Sequence, residues 1–290
     1  MKRLTSLFLA LVFMFSLAAC SSNENYDEKL FELSEDYNKA CAQDIMSMEK
    51  QGVDITIDVN KLSDNAIEVY FNGETTRIEF EANDEDNTEI EIKDPEELTK
   101  KEEKYVLKAK EAVIGYINSS EILTEKETLI QKIETIKVMA MDMPTIGLYK
   151  NDCVYINKDE LVNYSMECFE FAVTHELIHA LAALTNGGVE NECYGTKKLN
   201  EVITDIIAVQ IFDKKVNFVS AYSDFYYHGY SYISFFKEKA IKAYFYGYEE
   251  IWEIADKTEF DFFVEAFANA PYDMYAHMYT VTLLHKWATN

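Results

Sequence analysis

Little in this chain breaks or bends a backbone. It has 9 Gly and 3 Pro among 290 residues, too few for a turn-rich all-β protein or a low-complexity linker. Positive charge is scarce as well: 27 Lys and Arg face 52 Asp and Glu, a formal net charge of -25. Such an excess repels polyphosphate, so duplex binding by neutralisation of phosphates is excluded and no nucleic-acid partner is expected. Among the 5 Cys no two form a Cys-x-x-Cys pair, which removes a metal-knuckle reading. After the first twenty residues the chain also lacks an uncharged apolar run long enough to span a bilayer. What it has in quantity is apolar and aromatic, at 48% and 14% of residues, too much for a disordered acidic chain. A folded, helix-leaning protein is left, either one large domain or a domain of about 180 residues with a smaller N-terminal module.

Residues 1–20, MKRLTSLFLALVFMFSLAAC, combine a basic start at Lys2 and Arg3, an apolar run from Leu7 to Leu17, and small residues before Cys20. This is the three-part plan of a secretory signal, and the run is too short to persist as a membrane span. Leu17-Ala18-Ala19-Cys20 resembles a bacterial lipobox, in which cleavage precedes the cysteine and its thiol is acylated. The resemblance implies a signal peptide over 1–19 and a mature chain starting at Cys20. That chain would be held by lipid alone at the extracytoplasmic face of a bacterial membrane. Losing Lys2 and Arg3 takes the net charge from -25 to -27. Cys41, Cys153, Cys168 and Cys193 remain, an even number that permits two disulfides without saying which pair.

Apolar residues at three- and four-residue steps predict an amphipathic helix over about 26–50. After Gly52 the period changes to two, through 53–59, 67–71, 78–80 and 90–92, with turns at Asn72-Gly73 and over 83–87. A four-stranded antiparallel meander with one wet face is expected there. Asp94-Pro95 has the form of a helix start, for a helix running to about Asn118, followed by another over 121–133. Residues 145–157 predict two short strands around Lys150-Asn151-Asp152. Beyond Lys158 nearly everything favours helix, with aromatic stripes from Phe235 to Phe267 as bundle core. The expected class is α+β. A helix-plus-meander module over 20–94 precedes a mostly helical domain with a small edge sheet over 95–290.

The helical stretch 163–184 contains His175-Glu176-Leu177-Ile178-His179. Histidines at i and i+4 share one helix face, which lets two imidazoles converge on one metal ion. Glu176 can then take a proton from water activated there, the chemistry of HExxH metallohydrolases. With 5 His and 34 Glu in 290 residues, chance supplies roughly 0.01 such strings. The flanking Phe169, Phe171, Val173, Ala180 and Leu181 mark a buried helix, where unpaired His and Glu would be costly.

Zinc needs a third protein ligand. Metzincins place a histidine six residues after the second; Thr185 stands there, so that class is excluded. Instead, Leu199-Asn200-Glu201-Val202-Ile203-Thr204-Asp205 opens a second apolar helix, with Glu201 22 residues after His179. Asn-Glu-x-x-Thr-Asp resembles the second-helix signature of the gluzincins, the thermolysin-like class of zincins, with Thr204 where that signature usually has Ser. The resemblance covers about residues 135–215. It implies a zincin-like catalytic domain in which His175, His179 and Glu201 hold one catalytic zinc ion. Asp205 would hold the first histidine through its other ring nitrogen, and Glu176 would be the general base. Glu190 and Glu192 compete as third ligand, although packed helices fix a site better than a loop does. Asn200 is expected to cap or brace its helix. Zincin-like domains also carry a strand along the cleft edge, to which an extended substrate adds, and residues 153–157 are expected to supply it. For the oxyanion donor the tract 222–232 offers Tyr230, with His228 as second choice. His277 and His285 are expected to be structural.

These features predict a membrane-anchored, extracytoplasmic zinc metallopeptidase acting on a peptide or protein substrate. Two other readings stay open at this point. One is a lipoprotein that keeps the zincin fold as a non-proteolytic binding scaffold, and the other is a metal-dependent hydrolase of a cell-wall amide. The intact Glu176 favours an enzyme over the scaffold. The acidic body further predicts a preference for cationic or neutral peptides over acidic ones.

Overall fold

In the computed structural model, which describes residues 25–63, 66–79, 90–158, 165–186, 194–212 and 222–289, the first element is helix α1 (Tyr26–Lys50). Asn25 caps it: the side-chain oxygen accepts from the backbone N–H of Asp27 at 3.1 Å. Asp27 and Glu28 sit at the positive end of its dipole. The expected signal segment, Cys20, Glu190, Glu192 and Cys193 fall outside the described residues. Cys41, Cys153 and Cys168 are free thiols.

Strands β1 (Ile57–Ser63), β2 (Ala66–Phe71) and β3 (Glu74–Glu79) form an antiparallel sheet in that order. Ile57 stands opposite Phe71 and Val59 opposite Val69. Asn72 and Gly73, both at positive φ, make the two-residue turn whose twist suits a hairpin. The fourth strand expected over 90–92 is absent. Ile90 and Ile92 pack instead on Met141, Cys153 and Tyr155 of the second sheet, so their alternation reflects burial on another sheet's face rather than a ladder of their own.

Helix α2 (Lys100–Ser119) starts after Thr99, not at Pro95 as expected. Thr99 and Glu102 form a reciprocal capping box: Thr99 N–H donates to Glu102 Oε2 at 2.6 Å and Glu102 N–H to Thr99 Oγ1 at 3.4 Å. Glu96 is already committed to a two-bond bridge with Ala140, at 2.8 and 3.0 Å, so its backbone is unavailable to a helix. Helix α3 (Lys126–Thr135) also starts later than expected, because Ser120 orders a bend before it. Ser120 Oγ donates to Asp27 Oδ2 at 2.6 Å and accepts from the N–H groups of Ile122 and Leu123.

The second sheet comprises β4 (Lys137–Met141), β5 (Gly147–Lys150) and β6 (Cys153–Asn157), in the order β4-β6-β5. β6 runs parallel to β4 and antiparallel to β5. β4, a Lys-Val-Met-Ala-Met run with no alternation to announce it, is an additional strand. The cleft-edge role expected of residues 153–157 is corrected: β6 is the central strand, buried along its whole length, and β5 lies at the sheet's edge. The turn at Asn151 and Asp152, both at positive φ, falls where the sequence placed it.

The remaining helices are α4 (Met166–Asn186), α5 (Tyr194–Phe212), α6 (Tyr226–Phe236), α7 (Glu238–Tyr246), α8 (Lys257–Asn269) and α9 (Met274–Thr289), with a short 3₁₀ turn over Ser223–Phe225 before α6. α4 is apolar nearly all round, with Val173, Leu177, Ile178, Ala180 and Leu181 fully buried. Such a helix must be enclosed, and α2, α5, α7 and β5 surround it. A single apolar cluster runs from Leu30 of α1 and Phe71 of β2 through α4 and α5 to Phe263 and Trp287, and the division expected near residue 94 does not interrupt it. Phe263 touches the rings of Tyr232, Phe260, Phe267 and Trp287, so the aromatic stripe does form core. The architecture is mixed helix and sheet, predominantly helical, compatible with the α+β class. No helix among the described residues is long and apolar enough to cross a membrane.

Candidate metal centre

Two adjacent helices each offer a pair of polar residues one turn apart. α4 presents His175 and His179, α5 presents Glu201 and Asp205, and the two pairs meet where the helices pack. His175 Nε2 lies 3.1 Å from His179 Nε2 and 3.3 Å from Glu201 Oε2, and His179 Nε2 lies 3.3 Å from the same oxygen. Ligands about 2.0–2.1 Å from a tetrahedral zinc ion stand about 3.3–3.4 Å apart, so this triangle has the size the ion requires. His175, His179 and Glu201 could thus hold a metal ion, and they form the one such group among the described residues. The donor set of two imidazole nitrogens and a carboxylate oxygen suits zinc. The side chains of His179 and Glu201 are 23% and 35% exposed, which leaves the group open to water on one side.

The supporting contacts run outward from these ligands. His175 Nδ1 meets Asp205 Oδ1 at 3.2 Å. The other Asp205 oxygen accepts the hydroxyl of Tyr226. Burial disfavours a charged His175, yet the hydrogen bonds to Asp205 and Glu201 outweigh it and lift its pKa to about 10. Burial alone would raise the Glu201 carboxyl; the imidazoles of His179 and His175 overcome that and hold it well below the usual range. Glu176 is buried beside them, and desolvation pushes its carboxyl up against the opposing pull of the two histidines. Its side chain lies directly on the backbone of Gly147 in β5, where a Cβ would stand 2.4 Å from Glu176 Oε1. The backbone N–H of Tyr149 donates to the carboxylate. β5 is therefore the strand that borders the site.

Five expected site residues, His175, Glu176, His179, Glu201 and Asp205, are brought together. Asn200 joins them differently from a cap: its Oδ1 accepts from Tyr248 at 2.6 Å and its carbonyl from Thr204 at 2.8 Å. The two expected oxyanion donors are placed elsewhere. The Tyr230 ring stacks on Tyr37 of α1 at 4.6 Å, and His228 bonds His277 at 2.9 Å. Tyr222 is the tyrosine that reaches His175 and Glu201, while Tyr226 reaches Asp205 behind them. The Tyr222 ring lies parallel to His175 at 6.1 Å, and burial together with the adjacent Glu201 carboxylate, to which its hydroxyl bonds, raises its pKa. Spacing could not have selected it, since Tyr222, Tyr226 and Tyr230 recur every four residues as on one helical face, whereas Tyr222 in fact lies in the turn before α6. Gly147 gave no sequence signal for its contact, and Thr204 carries one only as a member of the second-helix signature. Comparison with protein-family models, with curated proteins and with solved structures finds no match for the chain, and the site stands on its own geometry.

Proposed function

We propose that this protein is a zincin-like zinc metallopeptidase of gluzincin type, held by lipid on Cys20 at the extracytoplasmic face of a bacterial membrane. The observation that carries this reading is the convergence of His175, His179 and Glu201 at 3.1–3.3 Å with Glu176 alongside. Zinc held by those three side chains supplies Lewis acidity and water of lowered pKa. The chain's own groups supply the rest. A Glu176 oxygen takes up a proton from water and returns it to the leaving amine. The bare backbone of Gly147 gives that carboxylate its position, and the Tyr149 N–H steadies it. The Tyr222 hydroxyl, which bonds Glu201, would have to release that carboxylate to donate to charge developing on the substrate carbonyl oxygen. β5 offers main-chain groups to which an extended peptide can add.

Metal analysis together with cleavage of a peptide library tests the reading. One zinc per chain is expected in both wild type and Glu176→Ala, with cleavage by wild type alone. Stoichiometric zinc without any Glu176-dependent cleavage would favour the non-proteolytic binding lipoprotein. Full zinc affinity in Glu201→Ala would remove Glu201 as a ligand. Labelled fatty acid should enter the wild-type chain in cells and not Cys20→Ser.

A further inference from the structure

The metal ligand His179 is backed by a pair of hydroxyl groups whose proton bookkeeping closes. Thr204 Oγ1 lies 2.8 Å from the carbonyl oxygen of Asn200, 2.5 Å from the hydroxyl of Tyr244 and 3.4 Å from His179 Nδ1. Thr204 is fully buried and Tyr244 is 5% exposed, so water does not compete for these bonds. A threonine hydroxyl has one proton to give and two lone pairs to receive with. The Asn200 carbonyl can only accept, so it takes that proton. Tyr244 must then donate to Thr204, and the remaining lone pair of Thr204 faces His179 Nδ1. A ring nitrogen that meets a lone pair carries hydrogen. His179 is thereby fixed as the tautomer protonated on Nδ1, with the lone pair of Nε2 turned toward His175 and Glu201.

We infer that Thr204 and Tyr244 are positioning residues that set the tautomer and ring angle of His179. They do for the second histidine, with two neutral hydroxyls, what the Asp205 carboxylate does for the first. The assignment rests on the metal reading of the centre. Outer partners of this kind typically alter metal affinity about 10- to 100-fold.

The test compares purified wild type, Thr204→Val, Thr204→Ser and Tyr244→Phe, titrating zinc against a chelator of known affinity. Thr204→Val should raise the zinc Kd by about 10- to 100-fold, Thr204→Ser should stay close to wild type, and Tyr244→Phe should fall between them. In nitrogen-edited NMR spectra of the zinc-loaded proteins, His179 should show hydrogen on Nδ1 and none on Nε2. That Nδ1–H signal should shift and exchange faster in Thr204→Val. Unchanged zinc affinity in Thr204→Val and Tyr244→Phe, or hydrogen on His179 Nε2 in wild type, would overturn the assignment. If Thr204→Val does not fold, Tyr244→Phe and Thr204→Ser decide alone, because a purely structural role lowers melting temperature without moving the zinc Kd or the imidazole signal. Wild type that binds no zinc would defeat the metal reading itself; zinc bound equally by every variant would defeat only the positioning role.

Discussion

His175 and His179 lie four residues apart on one helix, while His228 and His277 come from α6 and α9 and meet ring to ring, Nε2 to Nδ1, at 2.9 Å. Both pairs are largely buried, yet their surroundings act on them in opposite directions. His175 is bonded to two carboxylates and its pKa is lifted to about 10. His228 lies against the rings of Tyr227, Phe267 and His277 and meets no carboxylate among the described residues; burial, and then His277, press its pKa down to about 3. Orientation separates the pairs as well. In the first, both Nδ1 atoms are engaged behind and both Nε2 atoms converge with Glu201. In the second, the two nitrogens spend a proton and a lone pair on each other, Asp44 reaches only the far side of His277 at 3.7 Å, and His228 Nδ1 has no hydrogen-bond partner among the described residues. A cation site therefore needs more than a pair of imidazoles. It needs acceptors behind them to aim the lone pairs and a carboxylate in front to balance the charge.

The comparison can be broken most decisively at Glu176, the proposed general base. Glu176→Gln is expected to lower turnover by about 10²- to 10⁴-fold while keeping one zinc per chain; His228→Gln should change neither, and loss of zinc there would break the contrast. Gly147→Ala comes next. Its Cβ would stand 2.4 Å from Glu176 Oε1, so turnover should fall on the order of 10²-fold with zinc content unchanged, as read by paired kinetics and metal analysis. Asp205→Asn removes the charge behind His175 and should raise the zinc Kd by about 10- to 100-fold in a chelator competition.

The smallest effect concerns acid. Between its ordinary value of 6.5 and its folded value of about 3, His228 is protonated in the unfolded chain and neutral in the folded one. Stability must then fall as pH is lowered through that window and be fully present above it, with a slope of up to about 1.4 kcal/mol per pH unit. Urea unfolding of zinc-loaded wild type and His228→Gln should show the variant with the shallower loss. Parallel curves would mean that His228 is hydrated in the folded protein.

Much of the centre was legible because a helix converts sequence spacing into a shared face. His175 with His179, and Glu201 with Asp205, are each four residues apart, and apolar flanks on both stretches announced that the faces would be buried against something. Capping chemistry was misplaced: the sequence reading starts the helix at Asp94-Pro95, whereas the bridge of Glu96 to Ala140 keeps that segment out and the capping box of Thr99 and Glu102 starts the helix instead. The fourth strand of the first sheet failed for a related reason. Ile90 and Ile92 alternate because one face is buried, and burial against the second sheet gives the same pattern as pairing within the first.

What the sequence determined by itself is the local chemistry: a helix carrying two imidazoles and a carboxylate, a second helix carrying two carboxylates, and a chain with a formal net charge of -25. Only the tertiary structure decided which outside groups complete that chemistry. Tyr222 rather than Tyr230 reaches the centre, β5 rather than β6 borders Glu176, and Thr204 with Tyr244 holds His179. Each of these depends on how elements distant in sequence pack, and a repeat of tyrosines every four residues, or two neighbouring strands of similar composition, looks the same in sequence whichever member ends beside the ligands.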